Sequence, residues 1–347
     1  MTQKITLSLL IAILCAYAGF TSCTDNTKVK NLAADSLTKD SILAATPDTS
    51  YKITMADSSW EKAAEAHKPE TEALSDTSKT RNSKGEISQK KIPVKLGNPY
   101  RPKELSDGIE KAKNGDLRGA IIDFDTCIRK NYRNYNAYFY KAKALFELNE
   151  PQNALTNINL AIEYDATNPV FYYFRGKLLF DSGNTDKAYT DFDKAVSLNP
   201  RFSDALNYRG VIKELKGKHT EAIEDYIAAL KINPGFALAY YNKGTSEAAM
   251  QLYKEATASF SKSIELDPKR VLGFMNRGNC YVMLKEYSSA IADYSAAIAL
   301  DPANSDAYYN RGAAYQLAGD KKACNDWQKA LSLGNKKAGN VLKEYCK

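Results

Sequence analysis

With 347 residues, 44% of them apolar and 26% charged, the chain has the make-up of a core-forming protein, long enough for two average domains or one long array. Six cysteines are too few for a disulfide scaffold of this length, and two histidines, His67 and His219, leave little room for His-based catalysis or a multi-His metal site. A net charge of +7 is modest and by itself implies no nucleic-acid partner.

The N-terminus reads Met1-Thr-Gln-Lys4, then a mostly apolar run from Ile5 to Phe20, then Thr21-Ser22-Cys23. A short basic start before an apolar run of this length fits a secretory signal over residues 1–22, and the run is short of the ~20 residues a membrane-spanning helix needs. Phe20-Thr-Ser-Cys23 resembles, loosely, the lipobox of bacterial lipoproteins, which implies lipid attachment at Cys23. Ala16-Tyr17-Ala18 is the competing site, for ordinary signal peptidase, and would leave a soluble exported protein with a free Cys23. The polar stretch directly after Cys23 favours the lipidated form.

From Thr24 to Asn98, 18 of 75 residues are Ser or Thr, and only Tyr51 and Trp60 are aromatic. Such a composition buries too little apolar surface to offset the entropy of ordering, so residues 23–100 read as a disordered tether. A flexible chain of this length spans about 45–50 Å, enough to hold a folded domain clear of a membrane. Asp35-Ser-Leu and Asp40-Ser-Ile resemble a short O-glycosylation signal of some Gram-negative anaerobes.

After position 100 a 34-residue period runs through several independent columns: Pro200, Pro234, Pro268 and Pro302; Gly176, Gly210, Gly244, Gly278 and Gly312; Ala120 through Ala290; and Phe124, Phe192, Tyr226, Phe260 and Tyr294, with Ile158 filling the aromatic gap. A shared period across unrelated columns marks a repeat architecture. Each unit divides into two helical stretches, Ala237–Met250 and Tyr253–Leu266 in the fifth, with Pro stopping the second. Small residues of the first helix are expected to face Ala of the second, with the aromatic filling the groove beside them.

Gly at the eighth position, Ala at the twentieth and twenty-seventh, an aromatic at the twenty-fourth and Pro at the thirty-second resemble the tetratricopeptide repeat. The family's opening Trp column is here Tyr138, Tyr172, Leu206, Tyr240, Phe274 and Tyr308, and its Leu column is basic. The resemblance implies an all-α solenoid of seven helix-turn-helix units over 101–347, starting near 101, 135, 169, 203, 237, 271 and 305. The first unit, with Asp107 and Lys111 at positions where the others are basic or bulkier, reads as a cap. A helix near 336–346 covers the other end.

Comparison of the repeats separates structure from function. The seventh position reads Lys141, Arg175, Arg209, Lys243, Arg277 and Arg311, and the twenty-third Asn157, Asp191, Asp225, Ser259, Asp293 and, allowing for a shorter loop, Asp326. Every Arg repeat has Asp and both Lys repeats a neutral residue, which predicts four bidentate pairs: Arg175–Asp191, Arg209–Asp225, Arg277–Asp293 and Arg311–Asp326. The basic ladder is therefore mainly structural. Cys127 falls in a small-residue column and reads as core, and Cys280 gives no clear signal. Cys324 and Cys346 each lie eleven residues from Asn335, the turn between the last two helices, so an antiparallel pair brings them together as a disulfide.

No catalytic motif survives: there is no G-x-S-x-G, H-E-x-x-H, C-x-x-C or glycine-rich phosphate loop. The reading is of a non-enzyme, with no cofactor and no metal. In the resembling family the concave face is lined by first-helix positions two, five, nine, twelve and thirteen. Here these include Asn136, Phe139, Lys143, Phe146, Tyr173, Lys177, Phe180, Asn207, Tyr241, Asn279 and Met283, a mix of rings and amides suited to an extended peptide. The fifth-position column carries no Lys, so a clamp for a C-terminal carboxylate is not supported, and mixed charges give no case for a nucleic acid. The expectation is an envelope-anchored scaffold that binds a partner protein or extended peptide. It would be lipid-anchored to the outer membrane and face the periplasm, or else be soluble in the periplasm, secreted, or at the cell surface. The alternatives are a spacer with no specific groove ligand and a glycan-capture lipoprotein, against which the unbroken spacing argues.

Overall fold

A computed structural model describes residues 79–81, 87–89 and 102–346 of the chain. The signal segment, Cys23 with its lipid attachment, and most of the expected tether lie outside the described residues. Inside that tether two short strands, β1 (Lys79–Arg81) and β2 (Ile87–Gln89), pair antiparallel with Thr80 opposite Ser88, which departs from the reading of no regular structure at these six positions. A lone pair of strands this short is marginal in water.

Fifteen α-helices are described, and the chain divides into two compact units at Ala239 and Tyr240. The first unit holds four helical hairpins: α1 (Lys103–Lys113) with α2 (Leu117–Lys130), α3 (Tyr135–Glu147) with α4 (Pro151–Tyr164), α5 (Pro169–Asp181) with α6 (Thr185–Leu198), and α7 (Ser203–Leu215) with α8 (His219–Ile232). The second begins within α9 (Ala237–Ala249) and continues through α10 (Tyr253–Leu266), α11 (Val271–Met283), α12 (Tyr287–Leu300), α13 (Ser305–Leu317), α14 (Ala323–Ser332) and α15 (Lys336–Tyr345). The fold is an all-α solenoid of repeated helical hairpins. No described helix is long and apolar enough to cross a membrane.

Two turn chemistries set the repeat. The first helix of each hairpin ends at the fifteenth position in the left-handed region, where Gly115, Gly183, Gly217 and Gly319 alternate with Asn149, Gln251 and Lys285 at φ near +62 to +87°. The residue after it closes a bond back onto the helix, as Asn184 N–H does to the Leu179 carbonyl at 2.8 Å, satisfying carbonyls that the helix end leaves open. The second helix ends in an Asx turn: Asn199 Oδ1 accepts from Arg201 N–H at 3.0 Å and Asp301 Oδ1 from Ala303 N–H at 3.1 Å. The Pro column follows that residue directly, where its missing N–H is not required.

Packing shows which neighbour of the small residues lies nearest. The eighth-position glycines meet the aromatic column most closely: a Cβ built on Gly210 would lie 2.7 Å from Tyr226, on Gly244 2.8 Å from Phe260, on Gly278 2.8 Å from Tyr294 and on Gly312 2.6 Å from Trp327, with the Ala323 carbonyl of the Ala column 3.1 Å from the last. The ring packs directly against bare backbone, so a side chain there would crowd it. Repeat two carries Ala142 at the Gly position and Ile158 in the aromatic column, and both are fully buried.

Candidate functional site

The first helices carry the side chains that a ligand on the inner face would meet. Most of the expected lining is buried. Phe139 packs its ring 5.1 Å from Phe171 and 5.7 Å from Phe174, and Lys143 lies along its face. Tyr173 meets Phe192, Phe202 and Tyr208, with the closest centroid at 4.9 Å. Lys177 donates to both oxygens of Asp181 at 2.7 and 2.8 Å and stands over the Tyr208 ring. Asn207 is buried, as are Tyr241, whose hydroxyl accepts from Asn276 at 2.9 Å, and Asn279, whose oxygen accepts from Tyr294 at 2.7 Å. Asn136, Phe146, Phe180 and Met283 are half-buried. The aromatic column supplies the physical reason: rings recurring every 34 residues on neighbouring helices reach one another before they reach solvent.

The Arg–Asp pairs close inside their repeats. Arg175 donates from Nε and Nη2 to Asp191 at 2.8 and 2.7 Å, and Arg209 donates likewise to Asp225, Arg277 to Asp293 and Arg311 to Asp326. These bonds, working against partial burial, hold the guanidinium groups of Arg175, Arg277 and Arg311 above their ordinary range. Sequence comparison missed the third nitrogen. Nη1 reaches the second helix of the preceding repeat, sixteen residues back: Asn159 from Arg175, Asp193 from Arg209, Ser261 from Arg277 and Ser295 from Arg311, at 2.7–3.0 Å. Each Arg thus ties three helices together. Arg277 is also sandwiched by Phe274 and Tyr281, and Arg311 by Tyr308 and Tyr315.

Lysine repeats find other partners. Lys141 uses the backward arm alone, to Asp125 at 2.6 Å, and Lys243 turns to Glu247 and Ser259 on its own hairpin. The polar column at the twenty-fifth position was the signal for the backward arm.

Cys324 and Cys346 are joined by a disulfide that fastens α15 to the start of α14. Cys127 and Cys280 are buried free thiols, and burial pushes the Cys280 thiol up to about 12. That is inert packing chemistry, not nucleophile chemistry. Among the described residues no group of three or more His, Cys, Asp or Glu side chains is placed to hold a metal ion.

Family models described as tetratricopeptide repeat match residues 107–169, 173–236 and 237–270, and one described as TPR repeat matches 278–319. The chain is a tetratricopeptide-repeat protein. Similar solved structures include the C-terminal part of a TPR repeat-containing protein from Cytophaga hutchinsonii (22% identity, TM-score 0.55, covering 69% of this chain and 99% of that one). A tetratricopeptide repeat protein from Parabacteroides merdae ATCC 43184 is another (23% identity, TM-score 0.51, covering 70% and 95%). At these identities the likeness is one of fold. No curated protein matches the chain. Tetratricopeptide repeats are in general non-catalytic modules that bind protein or peptide partners, and this chain is an interaction scaffold of that kind.

Proposed function

We propose that this protein is a scaffold of the bacterial cell envelope, tethered by a lipid on Cys23 and binding an extended segment of a partner protein along its first helices, on the periplasmic side of the outer membrane. The observation that carries the binding role is the partly open aromatic pair Phe146 and Phe180. Each packs edge-on against a buried ring, Phe174 at 6.0 Å and Tyr208 at 6.1 Å, so each is a rigid apolar anchor with one side toward solvent. Phe139, Tyr173 and Tyr241 are not candidates for the same role, because their burial makes them framework.

The test is affinity purification of the full chain from native envelopes, wild type against Phe146→Ala/Phe180→Ala. Loss of a defined envelope protein with the variant is expected, and identical recovery overturns the groove assignment. The anchor is tested separately: Cys23→Ala should move the protein from the membrane pellet to the soluble fraction, and unchanged partition overturns lipidation. One observation favours a second reading, a spacer without groove ligand: seven of the eleven expected lining residues are buried.

A further inference from the structure

Charge is not spread evenly along the solenoid. Residues 320–347 hold seven Lys against two Asp and one Glu, a surplus of four where the whole chain has a net +7. Both aspartates are engaged: Asp326 accepts the Arg311 fork at 2.7 and 2.8 Å, and Asp320 stands 3.5 Å from Lys322. In the hairpins before this end, Lys141 closes on Asp125, Lys177 on Asp181 and Lys213 on Asp225. Here Lys321, Lys329, Lys336, Lys337 and Lys343 are exposed, and among the described residues they form no ion pair.

The terminal hairpin fixes how these groups are displayed. α15 turns its apolar side inward, with Ala338 and Val341 buried and the Tyr345 ring 5.9 Å from Trp327. On its outer side Lys336 and Lys343, seven residues apart, stand nearly in line two turns from each other, with Lys337 one step round the helix. Between them lies Gly339, whose missing side chain leaves room for Leu331 of α14: a Cβ there would be 3.6 Å from Leu331 Cδ1. Leu331 is still 44% exposed. The outer face is therefore an apolar side chain set among unpaired ammonium groups, and the Cys324–Cys346 disulfide holds down the helix that carries them.

We propose that this terminal hairpin, α14 with α15, is a docking surface for an anionic lipid bilayer, met through the phosphates of its headgroups. Three features select that partner over other polyanions. The unpaired cations are all Lys, point charges suited to a diffuse layer of phosphates, whereas site-specific phosphate recognition favours the planar Arg fork. The rings of the hairpin are Trp327, fully buried, and Tyr345, half-buried, so it offers no open platform on which nucleic-acid bases could stack. Leu331 adds an apolar contact at the headgroup boundary, where basic and apolar side chains act together. The inference goes beyond the groove and needs neither a partner protein nor the lipid on Cys23. Where Cys23 is lipidated, the hairpin gives the chain a second hold on a membrane.

The test is vesicle co-sedimentation of the unlipidated full chain, with phosphatidylcholine alone and with an equimolar phosphatidylcholine–phosphatidylglycerol mixture. Each basic side chain near an anionic surface is worth about fivefold in partition, so Lys336→Gln/Lys337→Gln/Lys343→Gln should lose at least roughly tenfold of the wild-type preference for the anionic vesicles. The apolar run from Ile5 to Phe20 is common to both chains, so it cancels in the ratio. Raising the salt should erase the preference. Lys187→Gln/Lys194→Gln/Lys231→Gln removes the same charge from exposed lysines of the first unit and should partition as wild type does. An unchanged thermal melt checks that each variant is folded, as expected for side chains that stand in solvent. Equal wild-type partition into the two kinds of vesicle overturns the proposal, and so does an equal loss in the two variants. Tighter binding to a DNA duplex than to anionic vesicles, lost in the hairpin variant, would assign the surface to a different polyanion and overturn it as well. Loss of the envelope partner on Phe146→Ala/Phe180→Ala is a separate readout, so the scaffold reading stands or falls by itself.

Discussion

Gly244→Ala is expected to change sign with the ring it faces. The added Cβ would lie 2.8, 2.9 and 3.0 Å from three ring atoms of Phe260, where carbon atoms ordinarily stand 3.5–4.0 Å apart. The ring, fully buried, must move by roughly 0.7 Å into neighbours already in contact, and overpacking of this kind costs about 1–3 kcal/mol. Against this, Ala gains about 1 kcal/mol over Gly in a helix interior, leaving a net loss of about 1 kcal/mol. In a Phe260→Ile background the space opens as it does at Ala142 and Ile158, and the same substitution should stabilise by up to about 1 kcal/mol. The assay is a double-mutant cycle by chemical denaturation at constant m-value, supported by thermal melts, in which 1 kcal/mol corresponds to roughly 2–4 °C. A coupling of 1–3 kcal/mol with inverted sign is expected. The same sign in both backgrounds would refute the ring-on-backbone account.

Four further outcomes follow from the structure. Arg277→Lys keeps the charge but loses the fork to Asp293 and the arm to Ser261, and should lower stability by about 1–3 kcal/mol, whereas a melt within 1 °C of wild type would deny the clamp any weight. Lys285→Gly, at φ +63°, should stabilise by roughly 0.5–1 kcal/mol because a left-handed residue with a Cβ is strained; a loss in the same denaturation assay would contradict this. Cys280 titrates higher folded than unfolded, so its contribution is complete below about pH 9 and is lost as pH rises toward 12. Cys280→Ala should therefore flatten the alkaline limb of the stability curve, and native Cys280 should resist iodoacetamide at pH 8.5 while the unfolded thiol reacts. Replacing Cys324 and Cys346 with Ser opens a loop of 22 residues and should cost about 3 kcal/mol, read as early loss of protection in α15 by hydrogen exchange; unchanged protection there would mean the helix docks without its staple.

The sequence by itself determined the helices, their period, the intra-repeat Arg–Asp partners and the Cys324–Cys346 proximity. Each of these depends on spacing along the chain, and a 34-residue period repeats its own evidence. It also carried the family, because the Gly, Ala, aromatic and Pro columns are local requirements of one hairpin. What only the tertiary structure decided are relations between helices that no fixed offset announces. The backward reach of Nη1 depends on where the preceding hairpin stacks. The left-handed residue at Gln251 and Lys285 is hidden because neither side chain advertises that conformation. Above all, inner positions read as lining are buried at Phe139, Tyr173 and Tyr241, because exposure is set by what neighbouring helices cover and not by the position a residue occupies in its own repeat.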